Sequence, residues 1–175
     1  MANTTGKKIK DAAIIGGCAS LIYLTIGDIS YRLSLSRGGL NSKLITDMVA
    51  KSAAKKPKNE YKEKLDSMID DGADWFMHQD TEKIIIEKKH RQSLYADLIR
   101  PDKPSNVYII CIHGYTSSPA NMGIYAKKYH ELGYNVLLPS LRGHGDSEQD
   151  FITMGWNDRL DVIEWINYIA ERHPE

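Results

Sequence analysis

The sequence predicts an α/β fold, in which the strands of a largely parallel sheet alternate with helices. Short apolar runs at 107–112 and 135–138 are each followed by a segment whose apolar residues recur at helical spacing. Each run also leads into a loop that contains glycine, at Gly114 and at Gly143 and Gly145. Strands that alternate with helices in this way are typical of a sheet covered by helices on its faces.

Composition limits the classes of partner. A length of 175 residues suits one domain of ordinary size. The formal net charge of zero gives no electrostatic reason to expect nucleic acid. Cys18 and Cys111 lie far apart inside apolar runs, so we expect two small buried side chains and no disulfide. No Cys/His group has the spacing of metal ligands, and we predict neither a metal nor another cofactor.

Residues 1–30 are predicted to be a membrane anchor or a signal-like segment. Lys7, Lys8 and Lys10 precede an apolar run from about 12 to 27, a pattern of signal peptides and anchors. The run is slightly shorter than the ~17–25 residues that cross a bilayer, and a buried helix is the alternative. The absence of a small-x-small motif after the run favours a retained anchor. Positive charges flank both ends, so they do not settle the orientation.

Residues 31–80 are predicted to form a helical stalk or cap. Helical spacing at 41–54 is broken by a charged turn that contains Pro57. A second helix runs toward Gly72, with Trp75 and Phe76 expected just beyond it. Its apolar stripe consists of Tyr61, Leu65, Met68 and Ile69.

Residues 81–175 are predicted to contain the α/β domain. Strands are expected at 83–87, at 94–99 and, buried on both faces, at 107–112. Ser118 is expected to cap a helix that has Pro119 in its first turn and Gly133 at its end. A strand at 135–138 should stop at Pro139. A last helix, at 156–170, should turn Leu160, Ile163, Ile166 and Ile169 toward the core.

The loop after the third strand is the first candidate site. Ligands of open α/β sheets bind beyond the carboxyl ends of the strands, and His113-Gly114-Tyr115 occupies such a position. Gly114 should let the backbone turn sharply. The N–H of Tyr115 can then point into the cleft and stabilise an oxyanion, an effect worth about 3 kcal/mol per preorganised donor.

The loop after the next strand, Arg142-Gly143-His144-Gly145-Asp146-Ser147, should pack tightly against the first. Together with His113-Gly114-Tyr115, about 30 residues earlier, it resembles the α/β-hydrolase superfamily. Met154-Gly155-Trp156, leading to Asp161, looks like the helix before the nucleophile strand of that family. The nearest likeness is to membrane-anchored bacterial members related to serine aminopeptidases and monoacylglycerol lipases, over about 82–175.

The resemblance implies an α/β-hydrolase fold that is incomplete in this sequence. Tyr115 would donate its main-chain N–H to the oxyanion, while His113 and His144 would structure their loops and neither would be the base. The family nucleophile lies in Gly-x-Ser-x-Gly on the strand after the last helix, so nucleophile, acid and base are all expected outside this chain. Ser147 lacks the following glycine and the preceding strand, and is not predicted to be a nucleophile.

By that resemblance, the chain is an N-terminal fragment of a serine hydrolase. The complete enzyme would act on ester, acyl or peptide bonds of small molecules or peptides. The implied location is the bacterial cell membrane, with the domain facing outside. The alternative is a non-catalytic, membrane-tethered module of the same fold that binds a ligand or a partner. Tyr115, Met122 and residues 149–154 are expected to line the entrance of the cleft, and the strand ending at His113 is expected to leave an apolar edge.

Overall fold

The computed structural model describes residues 2–37, 47–48, 51–52, 59–90 and 92–172. Within them, helices alternate with strands in the second half of the chain, which confirms the predicted α/β class. The helices are α1 (Ala2–Leu35), α2 (Glu60–Met77), α3 (Gly123–Glu131) and α4 (Asp158–Arg172), and the strands are β1 (Glu82–Ile86), β2 (Leu94–Ile99), β3 (Tyr108–Ile110) and β4 (Asn135–Ser140). A 3-10 turn, Pro119–Met122, leads into α3. The helix predicted at 41–54 lies mostly outside the described residues.

The four described strands form one mixed sheet in the order β1-β2-β4-β3. Strands β1, β2 and β4 pair antiparallel, and β3 pairs parallel with β4. The prediction that the third strand is buried on both faces is wrong for the described protein, because residues 108–110 are only half-buried. Among the described strands, β3 pairs with β4 alone and so lies at one edge of the sheet.

Pro139 lies inside β4, so the prediction that it stops the strand is wrong. Its Cα is in register with that of Ala96 on β2. Asn135 N–H donates to Val107 O on the β3 side of the strand. Because strand residues alternate in direction, the nitrogen of Pro139 faces the same side. The parallel ladder has ended there, so the missing N–H removes no bond from the pairing with β2.

Two apolar clusters cover the two faces of the sheet. Val136 and Leu138 of β4 pack on one face with Phe76, Ile99, Cys111 and Ala126. Leu137 packs on the other face with Ile84, Leu94, Ala96, Leu98 and Trp165. Helices α2 and α3 thus cover one face and α4 the other. Cys111 is buried as predicted, whereas Cys18 is exposed, contrary to the prediction, because α1 extends away from both clusters.

Helix α2 does not bury the stripe that its sequence predicted. Tyr61, Leu65 and Met68 are exposed, and Ile69 is half-buried. The helix also continues through Trp75 and Phe76, which were expected beyond it. It packs on α3 through Gly72, where an added Cβ would come within 2.7 Å of Ile124 Cα. The two helix backbones touch, so glycine at this crossing sets which face of α2 is buried.

Helix α4 also buries a different face from the predicted one. Asp158, Asp161 and Trp165 are buried, while Leu160, Ile163 and Ile166 are about half exposed. Of the predicted residues, only Ile169 packs against the described core. The buried carboxylates bind the loops at the end of the sheet, and these bonds fix the rotation of the helix. The helix starts at Asp158, so Trp156 lies before it.

The predicted cap of the α3 region is only partly present. Ser118 has the extended backbone of a cap residue, and Pro119 follows in the first turn, but the Ser118 side chain makes no capping hydrogen bond. The first turn is a 3-10 turn, whose Asn121 N–H donates to the Ser118 carbonyl instead. Gly133 closes the segment with φ +81°, as its position predicted.

Helix α1 is a single long helix at the N-terminus. Its segment Ala13–Leu35 comprises 23 residues with a mean hydropathy of 1.5, and none of its most apolar stretch is buried in the described protein. By length and composition it is the one described helix able to cross a membrane. The described residues do not bury this helix, as the alternative of a buried helix would require. A helix of 23 residues is about 35 Å long, which matches the hydrocarbon core of a bilayer.

Candidate functional site

Two loops meet at the carboxyl ends of β3 and β4. The first loop contains His113, Gly114, Tyr115 and Thr116, and the second runs from Leu141 to Ser147. Parallel pairing of β3 with β4 places both loops at the same edge of the sheet. The structure thus brings the residues of the two predicted loops together at one edge.

The two loops are joined by a reciprocal pair of histidine hydrogen bonds, which we call the histidine brace. His113 of the first loop accepts the Leu141 N–H at its Nε2 (3.1 Å). His144 of the second loop accepts the Thr116 N–H at its Nε2 (3.2 Å). The two rings lie edge to face with their centroids 4.9 Å apart. Each loop therefore supplies the acceptor that holds the backbone of the other.

The partners of the brace define the protonation of both rings. Because each Nε2 accepts a backbone N–H, each ring must be neutral with its proton on Nδ1. Nδ1 of His113 then donates to Gly114 O (2.9 Å), and Nδ1 of His144 donates to Arg142 O (2.8 Å). Burial lowers the pKa of His113 below its ordinary value and outweighs the hydrogen bond to the Gly114 carbonyl, which favours the protonated ring.

A buried ion pair fixes the second loop to α4. The Arg142 guanidinium donates to both carboxylate oxygens of Asp161, at 2.5 and 2.7 Å. The Arg142 and Asp161 side chains are 15% and 5% exposed. The backbone carbonyl of the same Arg142 accepts the hydrogen bond from His144 Nδ1. The ion pair therefore also positions one half of the brace.

A second buried carboxylate holds the loop before α4. Asp158 accepts hydrogen bonds from the Thr153 hydroxyl (2.8 Å) and the Gly155 N–H (2.6 Å). Met154 and Gly155 both have positive φ, +50° and +89°. One carboxylate oxygen, Asp158 Oδ2, thus accepts both bonds and stabilises a turn that a methionine seldom adopts.

The N–H of Tyr115 has no acceptor among the residues that the structure describes. The next residue in the chain is constrained. Thr116 is in the left-handed region with φ +58°, held by its bond to His144. Gly114 is not, so the expectation that its backbone needs glycine for a sharp turn is wrong. A Cβ on Gly114 would meet no atom within 4 Å, which shows that this glycine borders open space.

Gly143 and Gly145 have the positive φ values that a tight second loop requires, +71° and +49°. A Cβ on Gly143 would also lie 2.9 Å from the nitrogen of Ile152. Glycine at 143 therefore lets the second loop fold against residues 151–152, and glycine at 145 lets it pass close to Ser140.

A cavity of about 450 Å³ opens beside the two loops. Its floor holds His113 and His144, and Tyr115 and Met154 are among its walls, as expected for the entrance. Met122, which was also expected there, packs against the Phe76 cluster on the α2 face instead. The remaining lining residues are Ile112, Gly114, Leu141, Ile152, Gly155, Asp158, Arg159 and Val162. Most of the wall is apolar, so the cavity suits an apolar ligand with one polar end.

The serines near the site are not free nucleophiles. Ser147 is buried, and its hydroxyl donates to the Gln149 side-chain oxygen. Ser117 accepts a hydrogen bond from the Asn121 amide (3.2 Å) within its turn. Among the described residues no group of three or more His, Cys, Asp and Glu is arranged to hold a metal ion.

The end of α1 reaches the site, a contact that sequence patterns did not predict. Tyr115 Oη donates to Ser34 O (2.6 Å), and the Ile152 N–H donates to Leu35 O (2.7 Å). Arg37 donates to the carbonyl oxygens of Gly145 and Ser147, each at 2.5 Å. No periodicity or motif in residues 34–37 indicates such bonds, because every acceptor is a backbone carbonyl and every partner lies far away in the sequence.

Comparisons with known proteins point to enzymes that cleave esters. A thermostable monoacylglycerol lipase from Bacillus sp. (strain H-257) is 28% identical over 39% of this chain and 37% of its own length. Two crystal forms of an esterase from Pyrococcus furiosus match 57% of this chain, with a TM-score of 0.50 and 25% identity, over 38% and 39% of the esterase. No family model matches the chain. The chain thus spans less than two-fifths of the relatives it matches.

Proposed function

Because this chain belongs to the α/β-hydrolase superfamily, we propose that it is the N-terminal portion of a membrane-anchored serine hydrolase. In this proposal the first loop supplies one oxyanion donor, the main-chain N–H of Tyr115. The observation that carries it is an N–H without an acceptor among the described residues, on a residue that lines an apolar cavity.

The proposed chemistry is acyl transfer to a serine. Attack on an ester carbonyl places negative charge on its oxygen, and a preorganised N–H stabilises that charge in the transition state. The histidine brace and the left-handed Thr116 hold the Tyr115 peptide in one orientation before substrate binds. Open space beside Gly114 leaves room for the carbonyl of the substrate.

Neither histidine of the site is proposed as the base. A general base needs a free lone pair within reach of the nucleophile, and both lone pairs are already occupied by backbone N–H groups. Serine, acid and base would come from sequence beyond these 175 residues, since the matched relatives are more than twice as long as the matched region.

An acyl ester is the substrate class that we propose. The matched relatives are a lipase and an esterase by name, and the apolar walls of the cavity suit an acyl chain. Helix α1 would hold the enzyme on the membrane, and we keep the expectation that the domain faces the outside of a bacterial cell.

The test begins with the gene. We expect the reading frame beyond Glu175 to encode an apolar strand and Gly-x-Ser-x-Gly, and the complete protein to react with a fluorophosphonate probe at that serine and to hydrolyse 4-nitrophenyl acyl esters. Within it, Tyr115→Pro removes the N–H and should lower kcat about 10²–10³-fold. Tyr115→Ala, which keeps the N–H, is the matched control. A complete protein without a reactive serine, or equal activity in the two variants, would contradict the proposal.

The second candidate function is a non-catalytic binding module. The cavity favours it, because the described lining residues all belong to this chain and could hold a ligand without the residues of the missing catalytic groups. It predicts that the complete protein binds a fluorescent fatty acid but neither reacts with fluorophosphonate nor hydrolyses esters.

A further inference from the structure

The cavity lies directly at the end of the apolar helix. Tyr115 and Ile152 both line the cavity. Their bonds to Ser34 O (2.6 Å) and Leu35 O (2.7 Å) join them to the last two residues of the segment Ala13–Leu35. If that segment crosses a bilayer, its end lies where the hydrocarbon meets the headgroups. The cavity then lies at the same depth.

The connection is a fixed joint, which we call the anchor clamp and define as residues 34–37. Arg37 binds two carbonyls of the second loop through its guanidinium, and its own N–H donates to Asp150 O (2.9 Å). Ser36 forms a β-bridge with Phe151. The rings of Phe151 and Tyr31, one turn earlier in α1, lie 5.5 Å apart. Bonds from consecutive residues leave the domain little freedom to rotate on the helix.

The rim of the cavity has the composition of a surface that lies on a bilayer. Met154 and Trp156 are 63% and 73% exposed. Arg159, a lining residue, stacks its guanidinium 4.4 Å above the Trp156 ring. Tryptophan favours the headgroup region of membranes, and arginine binds the phosphates found there.

We infer that the anchor clamp holds the mouth of the cavity against the bilayer, with Met154 and Trp156 inserted among the headgroups. The acyl chain of a membrane lipid would pass from the leaflet into the cavity without crossing water. The inference rests on the proposed function, in which α1 is a membrane anchor and the cavity receives an acyl ester. It adds that the substrate is a lipid of the same membrane.

The experiment measures the depth of Trp156 in the full chain. The protein is reconstituted into phosphatidylcholine vesicles with or without brominated acyl chains, which quench tryptophan on contact. Trp156→Phe identifies the contribution of Trp156, since the emission of Trp75 and Trp165 is present with and without this substitution. We expect brominated lipid to quench the emission that this substitution removes. Equal emission of Trp156 in both kinds of vesicle would overturn the inference.

The clamp is tested by Arg37→Ala, with Arg32→Ala as the matched control. Arg32 pairs with exposed Asp28 on α1 itself and touches no cavity residue through its side chain. We expect Arg37→Ala to lose at least half of the Trp156 quenching and Arg32→Ala to keep it. Quenching that survives Arg37→Ala would overturn the clamp as its cause.

Extraction at alkaline pH separates this inference from the proposed function. A chain that resists extraction while Trp156 remains unquenched keeps its anchor and overturns only the orientation. A chain that is extracted has no anchor, and the inference falls with that part of the proposed function. Ester hydrolysis by the complete protein is measured separately and depends on neither result.

Discussion

Removing the Asp161 carboxylate should destabilise the domain more than any exposed charge substitution. In Asp161→Ala the Arg142 guanidinium loses both of its carboxylate bonds, at 2.5 and 2.7 Å. It remains in a position where its side chain is only 15% exposed. An arginine cannot shed its charge in such a site, so the variant retains an unpaired, largely buried cation.

The magnitude follows from that burial. Breaking a buried ion pair at one partner costs about 3–5 kcal/mol, and we expect the lower end because Arg142 retains some contact with water. About 3 kcal/mol corresponds to a fall of about 6–12 °C in Tm for a protein of this size. The matched control is Glu131→Ala, which breaks the exposed pair with Lys128 (72% and 50% exposed) and should cost about 0–1 kcal/mol.

The assay is urea unfolding of the full chain in detergent micelles, followed by tryptophan fluorescence, to which Trp165 contributes together with Trp75 and Trp156. The Trp165 ring is buried on the same helix as Asp161. The double variant Arg142→Met/Asp161→Leu removes both charges and should recover most of the lost stability. A cost no larger than that of Glu131→Ala would refute the reasoning, as would a double variant less stable than Asp161→Ala.

Three further predictions follow from the same packing. His113 has a pKa below its ordinary value of 6.5. Its contribution to stability is therefore complete above about pH 6.5 and is lost as the pH falls toward the pKa of the folded state. His113→Gln should flatten this part of a plot of urea midpoint against pH, and an unchanged plot would contradict the prediction. Gly72→Ala forces a Cβ into the backbone of α3 and should lower the free energy of unfolding by about 1–3 kcal/mol, measured by the same urea titration. Gly114→Ala is the control, because no atom lies near its Cβ, and it should cost less than about 1 kcal/mol. Equal costs of the two substitutions would be inconsistent with the close crossing of α2 and α3. Burial raises the pKa of Cys111, so in a Cys18→Ser background this thiol should react with a maleimide only in denaturant, and rapid labelling of the folded protein would show that the site is open.

Local sequence patterns predicted the elements well where a single signal dominates. The strand Leu94–Ile99 has its predicted limits, and Gly133 ends the α3 segment as expected. The two loops could be placed at one sheet edge because parallel strands share their direction. The family resemblance then gave those loops a chemistry, which remains a prediction for Tyr115 and its neighbours.

The faces of the helices could not be predicted in the same way. Apolar spacing in α4 pointed to Leu160 and Ile163, but the helix turns its carboxylates inward because Asp161 has a buried arginine to bind. A hydrophobic stripe predicts burial only when no stronger partner competes for that face. Likewise, Gly72 determines the packing of α2 through a backbone contact that has no signature in hydropathy.

The histidine brace limits which substitutions this edge of the molecule can accept, in evolution or in engineered variants. Each loop depends on an acceptor carried by the other, so replacing either histidine alone leaves a backbone N–H of the opposite loop without its partner. Replacing both histidines leaves two backbone N–H groups without their acceptors, so neither substitution compensates for the other. The two segments, 28 positions apart, are expected to be inherited and transplanted as one cassette.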